Sequence, residues 1–265
     1  MIAALPMYHS NPSRVEAFWL EISEKLCESP SVYAPPELAW PDDLMKHWQR
    51  KDLLISQSCG YPLVTELKDK VLVVGTFHYR APGCDGHMCR SQLVVRNNDP
   101  AKTLNDLRGR RVAYNGTDSQ SGYNSLRALV APLSRNGKFF NESIETGSHQ
   151  KSVMAVRDGL ADIASLDCVS FSGFMKYAPE VTRGIRVLCQ SAPYPGLPLI
   201  TSVDAPDEVL AALRAALKWA THEPHLTQIR EDIFISEFEP LEFSDYQICA
   251  DMRDSAILLG YPHLQ

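Results

Sequence analysis

A chain of 265 residues that is 45% hydrophobic and 22% charged has the make-up of a globular protein. That excludes a disordered acidic chain, a collagen-like chain and a disulfide-dense miniprotein. With 26 Lys+Arg against 32 Asp+Glu the formal charge is −6, and no basic run argues for nucleic acid or an anionic lipid surface.

In chain order the pattern alternates strand and helix. Residues 2–7 read as a buried strand. Asn11 then caps a helix with Pro12 at its first position, and Val15, Phe18, Trp19, Ile22 and Leu26 fall on one face of it. Residues 29–41 are proline-rich and loop-like. Strands follow at 53–56, 71–79 and 92–95. A short helix after Thr103 leads to a strand at 111–114, a polar loop at 115–120 and a helix from Ser121 to about Leu133. Next come strand 143–146, helix 150–157, strand 163–166, helix 169–177, strand 185–189 and strand 199–202. Asp204 is expected to cap a long helix with Val209, Leu210, Leu213, Leu217 and Ala220 on its buried stripe. A last helix covers about 245–259. This alternation predicts an α/β protein with mostly parallel sheets. Composition shifts near 95–100 and 190–200 divide it into a lobe of residues 1–95 with 196–265 and a lobe of residues 96–195.

The start of the chain lacks a basic segment, and its apolar stretch is broken by Pro6 before it reaches the length of a signal core. Seven cysteines, an odd and scattered set, suit a reducing compartment better than a disulfide framework. The expectation is a cytoplasmic protein; the alternative is a periplasmic one whose export signal lies outside this sequence. No run of about 18 apolar residues occurs, so no membrane span is expected.

Three strand-to-helix junctions carry candidate chemistry. In Ser119-Gln120-Ser121-Gly122-Tyr123-Asn124 the first helical amides and the hydroxyls could hold an anion, and Gly122 would let a ligand approach the backbone. The plainer reading is a serine that caps the helix. Asp118 beside it opposes a strongly anionic ligand unless its carboxylate points away. In Gly147-Ser148-His149, Ser148 is a cap, and His149 is either a ligand donor or an exposed first-turn histidine. Asp167 ends strand 163–166 at its carboxyl edge, where ligands of open α/β sheets gather. Tyr8 and Tyr61 also follow strand ends and could pack on a ligand or simply be half-buried. His78, Cys84, His87 and Cys89 match no zinc spacing, and the Pro82–Gly86 stretch explains itself as a turn. No nucleophile elbow, phosphate-loop lysine or dinucleotide fingerprint is present. No catalytic residue, metal or cofactor is expected.

Taken in order, Leu5-Pro6-Met7-Tyr8, Gln57-Ser58-Cys59-Gly60-Tyr61-Pro62, Ser119 to Asn124, Gly147-Ser148-His149 with Ser152, and Gly159 to Asp167 resemble the phosphate/phosphonate-binding family of ABC-transporter substrate-binding proteins. The resemblance covers nearly the whole chain. It implies the type 2 periplasmic-binding-protein fold, two α/β lobes joined by two hinge strands and closing on a small ligand. It implies non-enzymatic binding of a small oxyanion-bearing solute in the interlobe cleft, with a transporter permease as partner. By the same match Ser119, Gln120, Ser121 and Gly122 form the anion cradle, His149 contacts the anion, and Tyr8, Tyr61 and Asp167 contact the rest of the ligand. Gln120 stands where the family carries threonine, which leaves carboxylates and other oxyanions open beside phosphonates. An intracellular ligand sensor or a cofactor-biosynthesis enzyme on the same fold are the alternatives.

Overall fold

The computed structural model describes residues 1–8 and 10–265. Its strands are β1 (Ile2–Ala4), β2 (Leu53–Gln57), β3 (Val71–Tyr79), β4 (Met88–Cys89), β5 (Ser91–Arg96) and β6 (Arg111–Tyr114). They continue with β7 (Glu142–Glu145), β8 (Ile163–Asp167), β9 (Ile185–Gln190), β10 (Tyr194–Pro195), β11 (Pro198–Ser202) and β12 (Ile235–Glu239). The fold is α/β, with a five-stranded sheet in each of two compact units and a two-stranded pairing of β4 with β10. The first unit comprises Met1–Arg80, Asp85–Met88 and Pro195–Tyr246; the second comprises Ala81–Cys84, Cys89–Tyr194 and Gln247–Gln265.

In the first unit the sheet order is β1-β2-β11-β3-β12, with β1 and β2 parallel and the remaining pairs antiparallel. The helix Pro12–Cys27 forms as expected, with Phe18, Trp19 and Ile22 wholly buried; the Phe18 ring lies 5.9 Å from that of Phe77 on β3. It packs beside the helix Asp207–His222, whose Leu213, Leu217 and Ala220 are buried. Asp204 is not that helix's cap. The helix starts three residues later, after Pro206, because proline presets the backbone for a helix start and Asp207 and Glu208 then occupy the favourable first turn.

The second unit orders its strands β7-β6-β8-β5-β9, parallel through β7, β6 and β8 and antiparallel beyond. The expectation of mostly parallel sheets is therefore corrected to mixed sheets, since β5 in the second unit and β11 and β12 in the first run against the other strands. The sheet is buried on both faces. Leu93, Val95, Val112 and Tyr114 join one apolar cluster, and Val94, Ala113, Ala164 and Leu166 join the other.

The C-terminal segment departs from the expected division. Ala256, Tyr261 and Leu264 belong to the core of the second unit, together with Tyr123 and Phe139. Asn124 Nδ2 donates to the Cys249 carbonyl at 2.8 Å, and Leu264 N donates to the Tyr123 hydroxyl at 3.2 Å. Residues 247–265 thus belong with the middle of the chain, as do 89–95, because β5 pairs with β8 and β9. The chain consequently crosses between units five times, after Arg80, Cys84, Met88, Tyr194 and Tyr246, where the sequence suggested two crossings.

Candidate ligand-binding site

Because β6, β7 and β8 are adjacent and parallel, the loops that follow them emerge at one edge of the second unit's sheet. Each loop ends in a capped helix. Ser119 Oγ accepts from Gly122 N at 3.0 Å, ahead of a π-helical turn, Gln120–Asn124, that runs on as the α-helix Ser125–Val130. Ser148 Oγ accepts from Lys151 N at 3.2 Å at the start of the helix His149–Arg157. Asp167 accepts from Ser170 N at 2.7 Å at the start of the helix Cys168–Tyr177. The plain capping role thus holds for Ser119, Ser148 and Asp167, whatever else they do.

Ser121 and His149 meet. Ser121 Oγ lies 3.0 Å from His149 Nε2, joining the first turns of two helices. Three hydroxyls hold the backbone there, since the Ser121 carbonyl accepts from Ser91 (2.9 Å), Ser125 (3.0 Å) and Ser165 (2.6 Å). His149 is not an exposed first-turn residue. Burial alone pushes its pKa down to about 4, so it is neutral at ordinary pH. Its Nδ1 is buried with no hydrogen-bond partner, and so is Asn115 Oδ1.

Gly122 is required for a reason other than the expected one. A Cβ there would fall 1.8 Å from Asn115 Oδ1 and 3.3 Å from His149 Cε1. Its missing side chain makes room for Asn115 and His149, rather than opening the backbone to a ligand. The Gln120 side chain is engaged within the second unit. It is 2% exposed, and its amide accepts from Asn124 Nδ2 at 2.8 Å and donates to Met252 Sδ at 3.2 Å. Asp118 is exposed and curls over Gly116, where its Oδ1 would lie 2.7 Å from a Cβ. Asp167 is buried, and burial, reinforced by the neighbouring Cys168 charge, pushes its carboxyl up to about 7.

In the first unit, β1 and β2 are adjacent and parallel, so Tyr8 and Tyr61 lie beyond one sheet edge, Tyr61 in the helix Gly60–Thr65. Both are half-buried, and the Tyr8 ring stands edge-on to Tyr79 at 5.2 Å. Ser58, between β2 and that helix, is fully buried with an unpartnered Oγ. Sequence reading passed over Ser91 and gave Ser58, Asn115 and Ser165, which lie within its motifs, no role of their own. As isolated polar residues within strands or loops they carry no periodic signal; only the unpartnered or converging atoms reveal them.

The four metal-type residues near residue 80 separate into two groups. His78 Nε2 and His87 Nδ1 lie 2.8 and 2.9 Å from the same Glu239 Oε2 in the first unit. Cys84 and Cys89 join Cys168 in the second. Between them Asp85 and Met88 exchange backbone hydrogen bonds of 2.8 and 3.0 Å around Gly86, which is the turn expected there.

The family model of the phosphonate periplasmic substrate-binding proteins of ABC transporters matches residues 49–246. The chain belongs to that family. It is a substrate-binding component of an ABC transporter, not an enzyme. Among solved structures it is similar to a binding component of a phosphonate ABC transporter from Pseudomonas aeruginosa, with TM-score 0.76, 15% identity and coverage of 97% of this chain and 87% of that one. PhnD1 from Prochlorococcus marinus gives TM-score 0.74 and 15% identity over 96% of each chain. XAC2383 from Xanthomonas citri gives TM-score 0.71 and 16% identity over 97% of this chain and 96% of that one. At such identities the shared property is the two-lobed periplasmic-binding-protein fold. Comparison with curated proteins finds no match. Among the described residues, no helix is long and apolar enough to cross a membrane.

Proposed function

We propose that this family member holds the oxyanion of a small phosphonate- or phosphate-type solute at the carboxyl edge of β6, β7 and β8. The observation that carries the reading is the Ser121–His149 pair at 3.0 Å, with His149 half-buried, neutral and left with a buried, unpartnered Nδ1. If Nε2–H donates to Ser121 Oγ, the serine hydroxyl is free to donate onward to an anion. The amides of Gln120 and Ser121 precede the first intrahelical bond, from Asn124 N to the Ser119 carbonyl, and point the same way along the helix. Charge is then held by neutral donors rather than by a lysine or arginine. Gln120 enters through its backbone amide alone. Ser119 and Gly122 enter as the residues that shape the turn. Tyr8 and Tyr61 in the first unit, and Asp167, are proposed contacts to the remainder of the ligand.

Two similar proteins support the class of ligand. The Prochlorococcus marinus protein was solved with methylphosphonate and the Xanthomonas citri protein with ATP. Of the two compartments the sequence left open, the family supports the periplasm, and a transporter permease is the matching partner.

The test is calorimetric titration of the intact protein with methylphosphonate, inorganic phosphate, a sulfonate and a carboxylate. A hydrogen bond to a charged group is worth about 1.5–3 kcal/mol, so Ser121→Ala should weaken the best ligand by roughly tenfold to a hundredfold. Unchanged affinity in Ser121→Ala would move the anion site elsewhere.

A further inference from the structure

The second unit contains a group of sulfur atoms that ligand binding does not use. Cys84 Sγ lies 3.3 Å from Cys168 Sγ and 3.5 Å from Cys89 Sγ, and all three sulfurs fall within 4.8 Å of one another. Cys89 and Cys168 are buried, while Cys84 is partly exposed and offers a way in. They come from three places: the segment Ala81–Cys84, strand β4, and the first residue of the helix Cys168–Tyr177. Sequence spacing hid this set because its third member is 79 positions beyond Cys89 and because His78 and His87 turn to Glu239 instead.

We propose that Cys84, Cys89 and Cys168 form a three-thiolate site for a soft monovalent cation, copper(I). Metal–sulfur bonds of about 2.3 Å arranged in a plane require sulfur–sulfur separations of about 4.0 Å. The observed contacts of 3.3 and 3.5 Å are shorter than that value and the third pair lies within 4.8 Å, so the sulfurs need to spread by several tenths of an ångström to admit the ion. A disulfide would employ two of the thiols and leave the third facing it. Among the described residues no further His, Asp or Glu joins the group, so a cation that needs a tetrahedral set is less well matched than one content with three sulfurs. Each sulfur ligates as a thiolate, so the cation displaces the protons of the thiols it binds.

The experiment titrates the intact, reduced protein with copper(I) held by a competing chelator, in the absence of oxygen. The expected result is one equivalent bound, a sulfur-to-copper charge-transfer band, and protection of Cys84, Cys89 and Cys168 from alkylation while Cys27 and Cys189 react. Cys84→Ser, at the most exposed of the three, should weaken binding by more than about 100-fold, beyond the range typical of outer partners of a metal site. Cys189→Ser should leave it unchanged. Protection mapping on the unsubstituted protein keeps the assignment testable even if a variant misfolds. Failure to compete with the chelator, equal binding in Cys84→Ser, or tighter binding of zinc than of copper(I) would overturn the site. A disulfide between Cys84 and either partner in the natively isolated protein would also overturn it, in favour of a redox pair.

Discussion

His149 is half-buried in the candidate site with its Nδ1 fully shielded, and it should impose a pH dependence on folding that one substitution removes. Burial lowers its pKa from 6.5 to about 4, so the folded protein holds the neutral ring while the unfolded chain takes up a proton below about 6.5. Stability contributed by this group is therefore complete above pH 6.5, falls as pH drops towards 4, and levels off below. The full span of 2.5 pKa units corresponds to about 3.4 kcal/mol at 1.36 kcal/mol per unit, and at pH 5 about 2 kcal/mol of it is lost. Asp167 opposes this trend. Its folded pKa, raised to about 7, gives stability that is present at low pH and lost as pH rises through 7. The wild-type curve alone thus mixes two opposite slopes. Comparison with His149→Gln, which keeps a donor near Ser121 but cannot titrate, cancels the aspartate. Urea unfolding of both proteins at pH 7.5 and pH 5 should show the wild type losing about 2 kcal/mol more than the variant. Equal losses would mean that His149 is solvated, and the neutral-donor description of the site would fall with it.

The same reasoning about Gly122 predicts a steric cost with a specific remedy. Gly122→Ala should destabilise the second unit by about 1–3 kcal/mol through collision with the Asn115 amide, and Asn115→Ala in the same chain should restore most of it. A Gly122→Ala protein that melts like the wild type would refute the packing account. Asp167→Asn keeps a good helix cap but cannot ionise, so the variant should gain stability over the wild type above pH 7 and not below about pH 4, as read by melting temperature. A variant weaker at both pH values would show that the carboxylate itself is needed. Asp162 pairs with Arg96 and Arg111 at 2.9 and 3.0 Å, and Asp162→Asn should cost about 1–2 kcal/mol after allowance for its partial exposure, measured by denaturant titration at pH 7. No measurable loss would assign the pair to the surface alone.

Much of the site was legible because it is local. A strand followed by a hydroxyl-rich turn and a helix is specified within about ten residues, and the junctions at Ser119, Ser148 and Asp167 all formed where the pattern put them. The direction of a side chain is not local. Gln120 turns to Met252, 132 positions away, and Gly122 is required because of Asn115 and a ring 27 positions further on. His149 read either as a ligand donor or as an exposed first-turn residue, and only the packing of neighbouring elements shows that it is half-buried and neutral.

By itself, the sequence determined the alternation of strands and helices, the buried stripe of the helix Pro12–Cys27, the strands β3 and β6, and the family. Those features depend on spacing along the chain, and local spacing survives whatever the rest of the chain does. Tertiary structure alone decided the reversed direction of β5, β11 and β12, the docking of residues 247–265 on the second unit, and the meeting of Cys84 and Cys89 with Cys168. Each of those joins segments far apart in the chain. Their partners are chosen by which apolar faces and unpaired polar groups remain to be satisfied once the local elements exist, and no window of sequence contains that information.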